Sequence, residues 1–327
     1  MKKHTLTILN WVLFLGVLPS WGESPPGPYF GQTLPGASPE KFIMPPIDSL
    51  PNFLESRIAF SPDGNECLFS GYRDWDTPGA QMYYSQDINN VWTSPVKASF
   101  LPSSGRLCSH PFFSVDGNSL FFSKNGDIWM VHRTAQGWSN AQVLPAPINT
   151  SAYEGTYSQA TDGTGYLESG RAGGQGATDV WCIPPTLNDQ KKQAKNPGAP
   201  INSGIDDGSP FIDPNGRFLL FVSNPAGKYK DNLYVTFSDG NGGWSTPVNL
   251  NQFCPGINTD SQEYAPKLSP DGRFLFFTRM NYDTQQGGIY WVQNPIPDPN
   301  GEDCVIGQNT EEAIQGGEPV IMDSSLQ

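Results

Sequence analysis

The chain has 327 residues, of which 35 are glycine, 31 are proline and 12% are aromatic. This composition predicts many short strands joined by tight turns and excludes a protein built mainly of long helices. With 19 basic and 32 acidic residues the formal charge is −13, which disfavours nucleic acid and anionic membranes as partners.

The N-terminus has the features of an export signal. A basic start at 1–4 precedes an apolar run over 6–18. The small residues Ser20 and Gly22 occupy the positions that a signal peptidase would recognise if it cut the chain before Glu23. These features predict a secretory signal peptide over 1–22, because the apolar run is short for a bilayer span; an uncleaved anchor is the alternative. Cleavage would remove two of the 19 basic residues, giving 17 − 32 = −15, with no transmembrane segment. The expected location is periplasmic or extracellular.

Five cysteines lie far apart and form no Cys-x-x-Cys pair. Their spacing fits neither a zinc site nor a dense disulfide framework, and the odd number leaves at least one thiol unpaired. Cys67 and Cys182 fall within apolar strand patterns, so we expect small buried side chains there. A disulfide elsewhere is the alternative, and the other three cysteines are Cys108, Cys254 and Cys304.

A turn of the form Pro-Asp-Gly recurs through the chain. Proline sets φ at the first central position, and Asp-Gly or Asn-Gly supplies residues that tolerate positive φ, so each turn joins two antiparallel strands. Self-similarity at a fixed interval is typical of a repeat protein. The copies, 46 to 56 residues apart, are 61–64, 114–117, 160–163, 213–216 and 269–272, with Val115 and Thr161 in place of the proline in the second and third.

Each turn is flanked by two predicted strands, and two more elements follow. The strand after the turn is apolar almost throughout, as in 119–123, 218–222 and 274–278, which indicates burial on both faces. A third strand, such as 127–131, and a fourth element that begins with tryptophan, such as 138–143, complete the unit. Five such units predict an all-β protein, a five-bladed β-propeller of four-stranded blades.

The fifth unit lacks a clear fourth strand, because prolines interrupt the pattern after 294. Residues 38–43 stand before the first strand of the first unit, just as each fourth strand stands before the first strand of the next unit. We therefore expect this N-terminal strand to pair into the last blade and close the ring. An open stack of hairpin pairs is the alternative. The predicted organisation is a signal peptide over 1–22, an extension over 23–37, a propeller over 38–294 and a tail over 295–327 that is flexible or lies along the surface.

Several motifs resemble those of one propeller family. They include Ser-Gly-Arg-Ala-Gly-Gly at 169–174, Asp-Val-Trp at 179–181, Asp-Gly-Ser-Pro-Phe at 207–211 and Gly-Trp-Ser-Thr-Pro-Val-Asn-Leu at 243–250. Over residues 38–293 the chain resembles the TolB-like, WD-repeat-like propellers. The resemblance implies a periplasmic or surface binding scaffold. We expect a monomer whose partner is a protein or a cell-envelope glycan.

An acidic position recurs at the start of the innermost predicted strand. Seven residues before the second position of each turn stand Glu55, Cys108, Glu154, Asp207 and Glu263. Like charges gathered at one mouth of the channel repel unless a cation lies among them, so one hypothesis is a Ca²⁺ ion or a partner's cationic group, with His110 and Arg57 at the rim. The structural alternative pairs each acid with an arginine or uses it to cap a turn. The arginines placed for this are Arg73, Arg171 and Arg279.

Aromatic residues offer a second route to recognition. Four of them fall in or beside long loops between strands, where binding residues tend to lie; they are Trp75, Tyr229, Tyr264 and Tyr282. The loops 72–80, 171–178, 224–231 and 281–287 are the same connection in successive blades, so we expect them on one face.

Two functional classes follow. The first is an exported, non-catalytic scaffold that binds a protein or a cell-envelope glycan. The alternative is a carbohydrate-active enzyme, a glycosidase or lyase, that uses acids at the channel mouth; divergent pKa values among them would favour it, and uniform salt bridges would favour the scaffold. Segments 85–92 and 238–244 lack the spacing of a sialidase Asp-box, and the chain has no Gly-x-Ser-x-Gly, His-Glu-x-x-His or P-loop motif.

Overall fold

A computed structural model describes residues 26–44, 54–72, 80–102, 108–185, 193–225 and 230–298, without the side chains of Glu55 and Tyr72. The predicted signal peptide and nearly all of the tail lie outside these residues. The described residues up to Ile296 form one unit, a ring of five antiparallel sheets with almost no helix.

Four sheets pair strands that follow one another along the chain. Blade 1 contains β2 (Leu54–Phe60), β3 (Glu66–Tyr72), β4 (Gln81–Ile88), β5 (Val91–Trp92) and β6 (Val96–Lys97). Blade 2 contains β7 (Cys108–Phe113), β8 (Ser119–Lys124), β9 (Asp127–Thr134), β10 (Gly137–Trp138) and β11 (Gln142–Val143). Blade 3 contains β12 (Glu154–Gln159), β13 (Gly165–Ser169) and β14 (Asp179–Ile183), and a Cys182–Lys195 bridge stands at its outer edge. Blade 4 contains β15 (Asp207–Ile212), β16 (Phe218–Ser223), β17 (Asn232–Phe237) and β18 (Val248–Asn249).

Blade 5 takes its outer strand from the other end of the chain. It contains β19 (Gln262–Leu268), β20 (Phe274–Asn281), β21 (Gln286–Gln293) and the N-terminal β1 (Glu40–Lys41). Glu40 is opposite Trp291 in antiparallel register, and the Phe42 N–H donates to the Ile289 carbonyl at 2.8 Å. The predicted closure of the ring by an N-terminal strand is confirmed.

The residues before β1 reinforce this seam. A short left-handed turn at Pro28–Gly31 buries Phe30 against Trp92 of blade 1, with ring centroids 4.5 Å apart. Phe42 lies between the same turn and Trp291 of blade 5, at 6.0 Å from Phe30 and 5.1 Å from Trp291. The N-terminal segment therefore holds the first and last blades together.

The five predicted turns join the first and second strands of the five blades. In the last copy Gly272 has φ +72°, a conformation that L side chains rarely adopt, and Ser269 donates its hydroxyl to Asp271. The second strands β8, β16 and β20 are buried almost throughout, as their continuous apolar sequences predict. Cys67 is buried and Cys182 is half-buried, and the four cysteines among the described residues form no disulfide.

Within the ranges given above, no helix is long and apolar enough to cross a membrane.

Candidate ligand-binding recess at the channel mouth

The innermost strands carry a bulge near their start. Register shifts occur in β2, β7, β12, β15 and β19, each across three positions that begin within the first three residues of the strand. Four non-glycine residues at or beside these bulges have left-handed φ values between +47° and +55°: Arg57, His110, Ser209 and Ala265. Such conformations are costly outside glycine and often mark functional sites. The bulges bring Arg57, His110 and Ser209 to the wall of one recess.

This recess, of about 150 Å³, lies where the innermost strands begin. Thr178, Asp231 and Tyr282 line it, and they belong to three of the four loops predicted to share a face. Of the predicted ligand-binding residues, His110, Tyr264 and Tyr282 are in its wall. Trp75 and Tyr229 lie outside the described residues.

Arg57 and His110 are joined by a hydrogen bond inside the recess. Arg57 Nε donates to His110 Nε2 at 2.7 Å, so this ring nitrogen is an acceptor and the imidazole is neutral. The other ring nitrogen, Nδ1, is 3.0 Å from the Ser109 hydroxyl. Burial holds the pKa of His110 well below its usual range, and the nearby positive charges of Arg57 and Lys267 lower it further. The Arg57 guanidinium also lies 4.7 Å from the centre of the Tyr264 ring.

Carboxylates occupy the other side. Glu168, from β13, accepts a hydrogen bond from the Ser209 N–H at 3.0 Å. Asp231 accepts one from the Gln262 side-chain amide. Burial raises the pKa of both carboxyl groups. At Glu168 the Ser209 hydrogen bond and the Arg57 charge offset part of the rise, and the charge of Asp231 adds to it. At Asp231 the Gln262 hydrogen bond offsets part of the rise, and the charge of Asp206 adds to it.

Two glycines make room for the Glu168 side chain. A Cβ atom at Gly208 would lie 2.7 Å from the Glu168 carboxyl carbon, and one at Gly155 would lie 3.0 Å from it. We did not expect Glu168 in the site from sequence. The sequence does carry one signal, because Glu168 is the only charged residue at its position in the described second strands. That position comes directly before the residue opposite the repeated acid or its equivalent, and in the other blades it holds Ser70, Ser123, Val222 and Thr278.

Glu154, one of the predicted ring of acids, is fully buried and pairs with an arginine. Arg171 Nη2 is 3.3 Å from its Oε1, and Thr150 donates to the same carboxylate with its N–H at 3.1 Å and its hydroxyl at 2.7 Å. The same guanidinium also donates hydrogen bonds to the carbonyls of Pro147 and Ile148. This carboxylate therefore ties the arginine to the loop that enters blade 3.

Glu263 repeats this arrangement in blade 5. Arg279 Nε donates to Glu263 Oε1 at 2.8 Å, and Thr259 donates its N–H at 3.1 Å and its hydroxyl at 2.6 Å. Arg279 also reaches the carbonyls of Gly256 and Ile257. Burial raises the pKa of Glu263, partly offset by Thr259 and Arg279. Glu154 and Glu263 thus each pair with an arginine, as the structural alternative for the repeated acids predicts.

Asp207 in blade 4 departs from the pattern. Ser203 donates its N–H at 2.6 Å and its hydroxyl at 2.9 Å to Oδ2, but no arginine or lysine of the described chain pairs with the carboxylate. Its Oδ1 is buried and accepts no hydrogen bond of normal geometry within that part of the chain. Burial raises the pKa of Asp207, and the Ser223 and Ser203 side chains offset part of the rise. Asp207 lines the recess.

For the fourth acid, Glu55, only the backbone is described, opposite Gly71 in blade 1. No group of three or more His, Cys, Asp or Glu side chains among the described residues is arranged to hold a metal ion. The expectation of Ca²⁺ at the acidic ring stays a prediction.

Solved structures offer distant similarities to this chain. No protein-family model matches the sequence, and no curated protein does. Among solved structures, the chain is similar to a putative TolB from Agrobacterium tumefaciens (16% identity, TM-score 0.46, covering 73% of this chain and 77% of that one). It is also similar to TolB from Acinetobacter baumannii (14%, TM-score 0.41, 72% and 57%) and to a puromycin-hydrolyzing peptidase from Mycobacterium tuberculosis (15%, TM-score 0.40, 80% and 39%). The five sheets described above give the chain the five-bladed propeller fold that its TolB-like motifs imply.

Proposed function

We propose that this protein is an exported, non-catalytic propeller scaffold that binds a protein or a cell-envelope glycan through the recess at the channel mouth. One observation carries the proposal: charged groups and tyrosines from several blades converge in the recess, on the face formed by the loops between second and third strands. Polar groups and aromatic rings held on a rigid ring of sheets are typical of recognition sites. Export rests on the predicted signal peptide, which lies outside the described residues.

The carbohydrate-active enzyme is the second candidate, favoured by one observation. The raised pKa of Glu168, half-buried in the recess, is the property that a general acid of a glycosidase needs. Against it, Glu154 and Glu263 are already paired with arginines, so two of the acids expected to supply such chemistry serve the blade connections. The scaffold remains our proposal.

A co-sedimentation experiment tests it. Mature protein would be incubated with purified peptidoglycan sacculi and, separately, cross-linked to envelope proteins and the products identified by mass spectrometry. Wild type would be compared with Tyr282→Ala, which alters the recess, and with Phe253→Ala, which removes a partly exposed aromatic side chain outside it. We expect about tenfold weaker binding of one target in Tyr282→Ala alone, because truncation of an aromatic hot spot costs upwards of about 1.4 kcal/mol.

Equal binding by all three proteins would remove the recess from recognition. Release of soluble sugar from the sacculi by wild type, and its loss in Glu168→Gln, would show that the protein is a carbohydrate-active enzyme and not a non-catalytic scaffold.

A further inference from the structure

The acid of blade 4 lacks the arginine that its equivalents in blades 3 and 5 have. In blade 5 Arg279 stands directly opposite Glu263 in the strand pair, whereas the residue opposite Asp207 is Ser223. Asp207 is nevertheless fully buried, and its Oδ1 has no hydrogen bond of normal geometry in the described ranges, where the Ser223 side chain only partly offsets the raised pKa of the carboxyl group. A buried carboxylate without a positive partner is unfavourable, so this position is suited to a cation from outside the chain.

Three more carboxylates share the recess with Asp207. They are Glu168, Asp206 and Asp231, and they face one guanidinium, that of Arg57, and a neutral imidazole. With all four ionised, the recess carries an excess of negative charge. Neighbouring like charges raise one another's pKa values, and the charge of Asp231 raises the pKa of Glu168 against the lowering effect of Arg57. A bound cation would relieve this repulsion.

The hydrogen bonds of these carboxylates suggest which cation fits. Glu168 Oε2 accepts from Ser209, Asp231 Oδ2 from Gln262, and Asp206 Oδ1 from the N–H of Ala177 at 2.9 Å. In the described part of the chain each carboxylate thus gives one oxygen to the protein. A guanidinium is best bound by both oxygens of one carboxylate, whereas an ammonium takes single oxygens from several.

The size and walls of the recess indicate what carries the ammonium. About 150 Å³ is smaller than the 300–1,000 Å³ typical of small-molecule pockets, so the recess suits the end of one side chain better than a sugar chain. Val222 and Tyr282 add apolar surface to the wall, against which a four-carbon stem can pack.

We propose that the recess binds the primary ammonium group of a lysine side chain on a protein partner, between Glu168 and Asp231, with Asp207 in the same wall adding negative charge. This inference rests on the proposed scaffold function and names the group that the scaffold recognises. Binding is non-covalent, and the lysine stem lies along Tyr282.

The test is a titration followed by NMR and by calorimetry. The probe is Nα-acetyl-lysine methylamide, with its Nε-acetylated form, Nα-acetyl-arginine methylamide and glucosamine as comparators. Wild type would be compared with Asp231→Asn and Glu168→Gln, which keep the shape of each side chain. Asp239→Asn is the control of equal charge change, since Asp239 is an exposed acid in the hairpin after β17, outside the recess.

We expect the lysine probe to bind wild type and Asp239→Asn equally, and to bind each recess variant about ten- to a hundredfold more weakly, as expected for loss of a charged hydrogen bond. Unchanged thermal unfolding would show that the variants are folded. No binding of the lysine probe, equal binding of its acetylated form, or preference for glucosamine or arginine would each overturn the inference. If the lysine probe does not bind but an envelope target is still captured in a way that depends on Tyr282, only the lysine inference fails. If neither the lysine probe nor an envelope target binds, the proposed function fails too.

Discussion

The repeated acids allow a direct test of what each one does. Glu263 is fully buried and its Oε1 is 2.8 Å from Arg279 Nε, so Glu263→Gln removes one charge of a close pair. Losing one partner of a fully buried pair costs about 3–5 kcal/mol. Arg279 is 16% exposed and keeps the carbonyls of Gly256 and Ile257, so we expect a smaller loss, about 2 kcal/mol.

Asp207→Asn is the matched change in blade 4, and the opposite result is expected. The asparagine Oδ1 can accept both hydrogen bonds from Ser203, no described arginine is left unpaired, and the desolvation of a buried carboxylate is removed. We expect unfolding free energy at pH 7 equal to or slightly above that of wild type.

Urea unfolding followed by tryptophan fluorescence would measure the unfolding free energies of Glu263→Gln and Asp207→Asn. Calorimetry should show a melting temperature about 4–8 °C lower for Glu263→Gln than for wild type. Glu154→Gln should behave like Glu263→Gln, because Arg171 repeats the ion pair. A loss in Asp207→Asn as large as that in Glu263→Gln would refute the reasoning that the arginine, rather than the acid alone, makes these positions stabilising.

Three further predictions concern pH, the glycine cradle and the seam. The raised pKa of Asp207 means that the folded state holds this proton more tightly than the unfolded state; the resulting stabilisation is present below the unfolded pKa of about 4 and is lost as pH rises through the folded pKa. Asp207→Asn should therefore gain stability over wild type between pH 4 and pH 7, and a constant difference in urea midpoint across that range would contradict this. Gly208→Ala should destabilise by about 1–3 kcal/mol because its Cβ meets Glu168, and Glu168→Ala should recover much of the loss in a double-mutant cycle; additive losses would refute the contact. Phe30→Ala should cost about 3–5 kcal/mol in urea unfolding while lysine-probe binding is kept, and a loss under 1 kcal/mol would show that the turn at Pro28–Gly31 does not hold the seam.

The blades were predictable because their signals are local. Each Pro-Asp-Gly turn and its apolar second strand can be recognised within about fifteen residues, and the missing fourth strand after residue 294 points to the N-terminal strand. The turn at Pro28–Gly31 has no such pattern, since Tyr29 and Phe30 adopt left-handed conformations through packing on distant aromatics. Likewise Glu168 enters the recess only because Gly155 and Gly208, on two different blades, leave room for it.

The residues that differ from their repeat equivalents are the ones that meet in the recess. Glu168 stands where the other second strands have serine, valine or threonine. Asp207 has neither an arginine opposite it, as Glu263 has, nor one two residues further on, as Glu154 has in Arg171. A structural role alone would not require these departures to converge on one side of the channel. Ser223→Arg places an arginine opposite Asp207, as Arg279 stands opposite Glu263, and we expect it to pair with Asp207, to raise the urea midpoint and to weaken lysine-probe binding at least tenfold. Higher stability with unchanged binding would show that the unpaired acid of blade 4 takes no part in recognition.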